Sequence, residues 1–92
     1  MLIQHKQVAG KGIFYVGQDG AFEAEMVYTM AGNKMIIEHT EVDESLEGKG
    51  VGKQLVYTAV EYARNHGLKI VPLCPFAKSV LDKEVEWHDV LA

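Results

Sequence analysis

The sequence predicts a mixed α+β fold: an antiparallel meander of four strands, then a βαβ unit and a C-terminal helix. Two observations predict it. Up to Val42 the apolar residues alternate with period two, and from Val51 they recur every three to four positions. Glycine-bearing turns also punctuate the first half at the spacing of short hairpins.

Each element has a local reason. Leu2 to Ala9 reads as a first strand, closed by a turn at Gly10-Lys11-Gly12. Ile13 to Gln18 is the second, and Asp19-Gly20 supplies the positive φ angles of a type I′ hairpin turn. The third strand starts at Ala21 and places Phe22, Ala24, Met26, Tyr28 and Met30 on one face. Glu23, Glu25 and Thr29 fall on the other, with Val27 the apolar exception, as expected of a half-buried antiparallel strand. Gly32-Asn33 turns the chain into a fourth strand, Met35 to Val42. Val51, Leu55, Val56, Ala59, Val60, Tyr62 and Ala63 form one face of a helix that Gly67 ends. Lys69 to Leu73 is a short strand interrupted by Pro72, Phe76 to Asp82 a second helix, and Glu86 to Leu91 a last turn. A strand–helix–strand connection of this length implies parallel strands and a right-handed crossover.

Composition narrows the class. At 92 residues, 48% apolar and 24% charged, the chain is sized for one domain over residues 1–92. Nine Lys and Arg against thirteen Asp and Glu give a net charge of -4, and no basic cluster offers phosphate backbones a footing. Nucleic acid is therefore not an expected partner. The longest apolar run, Ile70 to Phe76, is far shorter than the roughly 20 residues of a membrane helix. The N-terminus lacks the apolar stretch of a signal peptide, and Cys74 is the only cysteine. These features point to a reducing cytoplasm.

The segment richest in chemistry is Glu47-Gly48-Lys49-Gly50-Val51-Gly52-Lys53, between the fourth strand and the long helix. Its glycines let backbone approach a ligand closely, and the helix start offers unpaired N–H groups to an anion. The plain alternative is a flexible connector. A Walker phosphate loop does not fit, because Glu47 stands at the first glycine position and Gln54 at the hydroxyl position. A dinucleotide fingerprint fails as well, with Lys53 where a third glycine belongs.

The string Glu47-Gly48-Lys49-Gly50-Val51-Gly52 resembles the [QR]-x-x-G-x-[GA] acyl-CoA signature of the GNAT superfamily of N-acetyltransferases. With Ile37-Glu38-His39-Thr40-Glu41-Val42 before it and Leu73-Cys74-Pro75-Phe76 after it, the chain is similar to the small stand-alone branch from about Phe14 to Leu91. Glu47 departs from the usual Gln or Arg, so pyrophosphate binding would fall to backbone amides. The N-terminal helices that shape the acceptor pocket of larger members are missing.

The resemblance implies acetyl-CoA as donor cosubstrate and an amine as acceptor. Gly48, Lys49, Gly50, Val51, Gly52 and Lys53 would hold the pyrophosphate. Thr40, Glu41 and Val42 would pair with the pantetheine arm where the fourth strand splays from the fifth, and Phe76 and Ser79 would flank it. Amine acetylation also needs a base and an acid. His39 is the candidate base, since imidazole titrates near neutral pH; its plain reading is a sheet-face histidine sharing a side with Met35 and Ile37. Cys74, beside a helix start, is a candidate nucleophile, an acid to the departing thiolate, or a small buried residue.

Other residues read as structural. Glu38 and Glu41 fit a solvated strand face, and Met26, Met30 and Met35 fit the core. His5, His66 and His88 lack the spacing of a metal site, and Trp87 is placed to anchor the last turn onto the sheet. Two rivals to an N-acetyltransferase remain open: a non-catalytic acyl-CoA binding or sensing module, and an interaction domain using an exposed strand edge.

Overall fold

The computed structural model describes residues 2–18 and 20–92. One five-stranded sheet carries β1 (Gln4–Val8), β2 (Lys11–Gln18), β3 (Ala21–Ala31), β4 (Lys34–Val42) and β5 (Lys69–Pro72), in sequence order across the sheet. The first four pair antiparallel, and β5 lies parallel to β4. Helix α1 (Val51–His66) joins β4 to β5, and α2 (Pro75–Lys83) leads to a 3₁₀ segment, Val85–Val90. The predicted order of strands and helices holds.

Two local readings change. The first turn is Ala9-Gly10 rather than Gly10-Lys11-Gly12, because Val8 pairs with Lys11 across it. Both turn residues have positive φ, 51° and 81°, the requirement of a two-residue I′ turn. A 3₁₀ turn at Glu44–Leu46, not predicted, is capped by Asp43, whose carboxylate accepts from the Ser45 amide at 3.2 Å and its hydroxyl at 2.5 Å. The predicted Asp19 hairpin residue lies outside the described residues, although β2 and β3 pair as far as Gln18 and Ala21.

Two β-bulges reset which faces the strands show. Val16 faces Ala24 but Gly17 faces Phe22, so Glu23 is an extra residue on β3. Phe22 therefore leaves the face of Ala24 and Met26, where alternation placed it, and packs on Tyr15 at 4.5 Å between ring centroids. On β4 the extra residue is Glu38, because Tyr28 faces Ile37 while Val27 faces His39. Residues directly opposite in an antiparallel pair share a face. Thr40 and Val42 thus join buried Met26 and Ala24, while His39 and Glu41 lie with Val27 and Glu25 on the outer face. The expectation that His39 shares a side with Met35 and Ile37 is corrected by this one inserted residue.

Both helices cover the inner face. Val51, Leu55, Val56, Ala59, Val60 and Ala63 from α1, with Ala77 and Leu81 from α2, join Phe14, Met26, Tyr28, Met35, Ile37 and Ile70 in one cluster. Each large apolar side chain buried here contributes about 1.5–3 kcal/mol by leaving water. Gly67, at φ 66°, ends α1, and the Gly67 and Leu68 amides both donate to Ala63 O. The tail is fastened by Arg64, which donates to both Asp89 carboxylate oxygens at 2.9 and 2.8 Å and to Glu86 O at 2.6 Å. Trp87 is buried against α1, its ring 5.4 Å from Tyr57, rather than on the sheet. Among the described residues no helix is long and apolar enough to cross a membrane.

Strand β1 is held to this core by a ring cluster. His5 stacks on Phe14 at 4.2 Å and meets Tyr62 edge-on at 4.7 Å. His5 Nε2 lies 2.5 Å from Tyr28 Oη, and burial, with Tyr62 nearby, pushes the Tyr28 phenol up to about 12. The Tyr28 ring runs across Gly12, where an added Cβ would come within 2.1 Å of it. Gly12→Ala is therefore expected to cost about 1–3 kcal/mol through overpacking. Chemical denaturation of the single and double variants checks this: most of that cost should vanish in a Tyr28→Leu background, and an unchanged cost would place the strain elsewhere.

Candidate functional site

The β4–β5 pairing stops at Ile37 and Pro72, so residues 38–42 have no β5 partner. The cause is a bend in the chain after Pro72: the Leu73 and Cys74 amides both donate to Ile37 O, at 3.0 and 3.1 Å. Beyond that point α2 begins, and β4 is left without a strand partner along one edge. A cavity of about 490 Å³ fills the gap. Its walls are Thr40 and Val42 from β4, Leu46, Glu47, Gly48 and Gly50 from the loop, Val51, Gly52 and Lys53 from α1, and Phe76 and Val80 from α2.

The glycines of the loop shape the cavity by backbone. Gly50 is the N-cap of α1 at φ 72°, a left-handed conformation that only glycine takes without strain, and it provides no side-chain cap. The Gln54 amide is the first to close an intrahelical bond, to Gly50 O at 3.0 Å. The amides of Val51, Gly52 and Lys53 precede it, at the positive end of the helix dipole. The first turn of α1 carries no acidic residue. Gly52 is required for space: a Cβ there would come within 2.5 Å of the Phe76 ring. Lys53 projects beside the loop, its ammonium 2.7 Å from Glu84.

Cys74 sits at the inner end of the gap, buried at the N-cap of α2. Its thiol lies 3.5 Å from Thr40 Oγ1. Burial pushes the thiol up, but the Thr40 hydroxyl and the backbone amides of Ala77 and Phe76 outweigh it and leave the group below the usual thiol range. His39 occupies the other side of the sheet, exposed, with Nε2 3.2 Å from Glu41 Oε1.

Of the candidate binding residues, the cavity brings together Thr40, Val42, Gly48, Gly50, Val51, Gly52, Lys53 and Phe76. Glu41 turns to the outer face, where it lines a separate acidic hollow with Glu23, Glu25, Asp43 and Glu44. Lys49 and Ser79 are exposed and do not line the cavity. Leu46, Glu47 and Val80 also line it and were not among the candidate binding residues. Val80 lies one helical turn beyond Phe76, a spacing that marks the same helix face.

Three different surfaces therefore meet in one cavity. They are the uncapped amides at the start of α1, the edge of β4 beyond β5, and an apolar wall of Phe76, Val42 and Val80.

The sequence model of the GCN5-related N-acetyl-transferase family matches residues 13–90. The chain belongs to that family. This acetyltransferase is 39% identical to a GCN5-like protein of known solution structure from Staphylococcus aureus, with a TM-score of 0.73 over 97% of this chain and 87% of that one. It also resembles an IAA acetyltransferase from Bacillus cereus, at 25% identity and TM-score 0.62 over 80% of this chain. The ribosomal-protein-S18-alanine N-acetyltransferase of Escherichia coli shares the fold, with TM-score 0.68 at 15% identity over 84% of this chain. The acetyltransferase spans 53% of the length of each of these last two enzymes. No curated protein sequence matches it.

The Cys74 environment has a direct consequence. Its alkylation by iodoacetamide should reach half-maximal rate at a pH below that of an ordinary thiol, and Thr40→Val should move that midpoint upward. An unshifted midpoint in Thr40→Val, measured by intact mass across pH, would remove the hydroxyl from the account.

Proposed function

We propose that the cleft binds acetyl-CoA and that the acetyltransferase passes the acetyl group to an amine approaching from the outer face of the sheet. The observation that carries this reading is the divergence of β4 from β5 after Ile37 and Pro72, which opens into the cavity bounded by the Gly48–Lys53 backbone. The pyrophosphate is assigned to the amides of Val51, Gly52 and Lys53, with Gly48 and Gly50 giving it room and Lys49 adding charge. The pantetheine arm is assigned to the unpaired β4 edge around Thr40, Glu41 and Val42, where Glu41 takes part by backbone. Phe76 flanks the arm, and Ser79 stands on the exposed side of α2.

Bound acetyl-CoA supplies an acyl thioester. Transfer forms a C–N bond and breaks the C–S bond, so one proton must leave the amine and one must reach the departing sulfur. His39, beside the gap on the outer face, is assigned the first proton, with Glu41 stabilising its imidazolium. Cys74, on the inner side, is assigned the second. Its burial favours this role over that of a free nucleophile, since Thr40 and α2 hold the thiol in place.

Acetyl-CoA at one hundred times its Kd should stabilise the chain by about 2.7 kcal/mol, a Tm rise of roughly 10–20 °C. Gly52→Ala tests the cleft itself. The added Cβ must displace the Phe76 ring, which walls the cavity, so affinity should fall about tenfold or more while folding is retained. Equal affinity in Gly52→Ala would move the donor site elsewhere.

Rates test the proton assignments. His39→Ala should lower acetyl transfer by about 10²–10⁴ with donor binding nearly intact. Cys74→Ala should also slow transfer, with no acetylated protein accumulating in the parent chain when the amine is omitted. An acetyl adduct absent from Cys74→Ala would instead make the thiol a covalent carrier. Donor binding without turnover on any amine would favour a sensing module.

A further inference from the structure

A second concavity, of about 340 Å³, shares Gly50 and Lys53 with the cleft and is completed by Gln54, Tyr57 and Trp87. Its walls are unlike those of the cleft. Tyr57 is 45% exposed and stands on the solvent side of α1, where an amphipathic helix ordinarily carries a polar residue. Trp87 lies beneath it, 9% exposed, the two rings inclined by 43°. The 3₁₀ tail holds Trp87 there through the Arg64 fork on Asp89 and the Arg64 bond to Glu86 O.

We propose that this concavity receives the adenine ring of acetyl-CoA. The inference rests on the donor reading above and adds a subsite to it. A pyrophosphate fixed at the start of α1 has two substituents, and the arm toward Thr40 accounts for one. The other must leave past Gly50 and Lys53, the two residues common to both cavities. Along that exit the surface provides what a purine nucleotide requires. The Tyr57 ring is an exposed stacking face above the Trp87 floor. The Gln54 amide, exposed beside it, both donates and accepts hydrogen bonds to a base edge. The Lys53 ammonium, steadied by Glu84, stands between base and phosphate.

Trp87 is the only tryptophan in the chain, so its emission reports on this subsite. Acetyl-CoA should change that emission, whereas 4′-phosphopantetheine, which keeps the arm and one phosphate but lacks adenosine, should leave it near its unliganded value. By titration calorimetry, Tyr57→Ala should weaken acetyl-CoA binding by about 5- to 100-fold, the range of losing one base–aromatic stack. The same variant should bind 4′-phosphopantetheine unchanged, and Tyr57→Phe should restore acetyl-CoA affinity. Tyr57 is exposed, so these variants are expected to fold as the parent does. An acetyl-CoA affinity equal in Tyr57→Ala and parent, or an equal loss for both ligands, would overturn the subsite while leaving the donor reading in place. If the parent bound neither ligand, the donor reading would fall and the subsite with it.

Discussion

A β-strand shows alternate residues to opposite faces, and Glu38 interrupts that alternation halfway along β4. Before it, Met35 and Ile37 point into the core; after it, Thr40 and Val42 do. Without the extra residue, His39 and Glu41 would face inward and Thr40 would turn to solvent, away from Cys74. The bulge therefore decides which chemistry meets the cleft and which meets the outer face. It also falls where β5 departs, since Pro72 and the paired amides at Ile37 O end the ladder one residue earlier. The gap and the reversal of faces coincide, so one side of β4 offers an unpaired backbone edge and a small polar side chain to the same cavity.

Element identity was legible because period and turn chemistry agreed. The switch from period two to a three-to-four spacing located α1, and Gly67 stopped it within one residue. Bulges were not legible, because an inserted Glu38 or Glu23 reads as one more polar residue in a strand that already carries several. Phe22 and His39 were misplaced for that reason alone. The first turn was misread because Gly12 looks like a turn residue, whereas its small size serves the Tyr28 ring passing over it. Ala9 carries a positive φ with no sequence signal to announce it.

The loop was legible for a different reason. Gly48, Gly50 and Gly52 act through backbone geometry, which a glycine pattern encodes directly. Side-chain contacts across long sequence separations do not have such a code. The Cys74 thiol meets Thr40 across 34 positions, and Gly52 meets Phe76 across the α1–α2 packing. Both depend on α2 starting immediately after the bend that follows Pro72. Pro75 at the first turn of α2 fits that start, since its missing N–H removes no helical bond. Leu73 and Cys74 then spend their amides on Ile37 O, and the thiol is left at the helix N-cap among donors that favour its thiolate.

The tail completes an arrangement in which rigid backbone and long-range packing have separate duties. Arg64, at the last turn of α1, reaches Asp89 and Glu86, and Lys69 donates to Asp89 O at 2.5 Å. Ala92 N bonds to Ile70 O at 2.9 Å, which covers the free edge of β5. These contacts fix the 3₁₀ segment at the C-terminal end of α1, yet Trp87 reaches back along the helix to Tyr57, two turns from its start. A charged clamp at one end of α1 thus sets the position of an aromatic wall near the other end, where the glycine loop stands. Exposed ion pairs add little stability singly, but a bidentate Arg–carboxylate pair fixes geometry, and geometry is what the wall requires. The cleft side of the molecule is consequently built from backbone and aromatic rings, while the outer face, which neither helix covers, presents only what the strands themselves project.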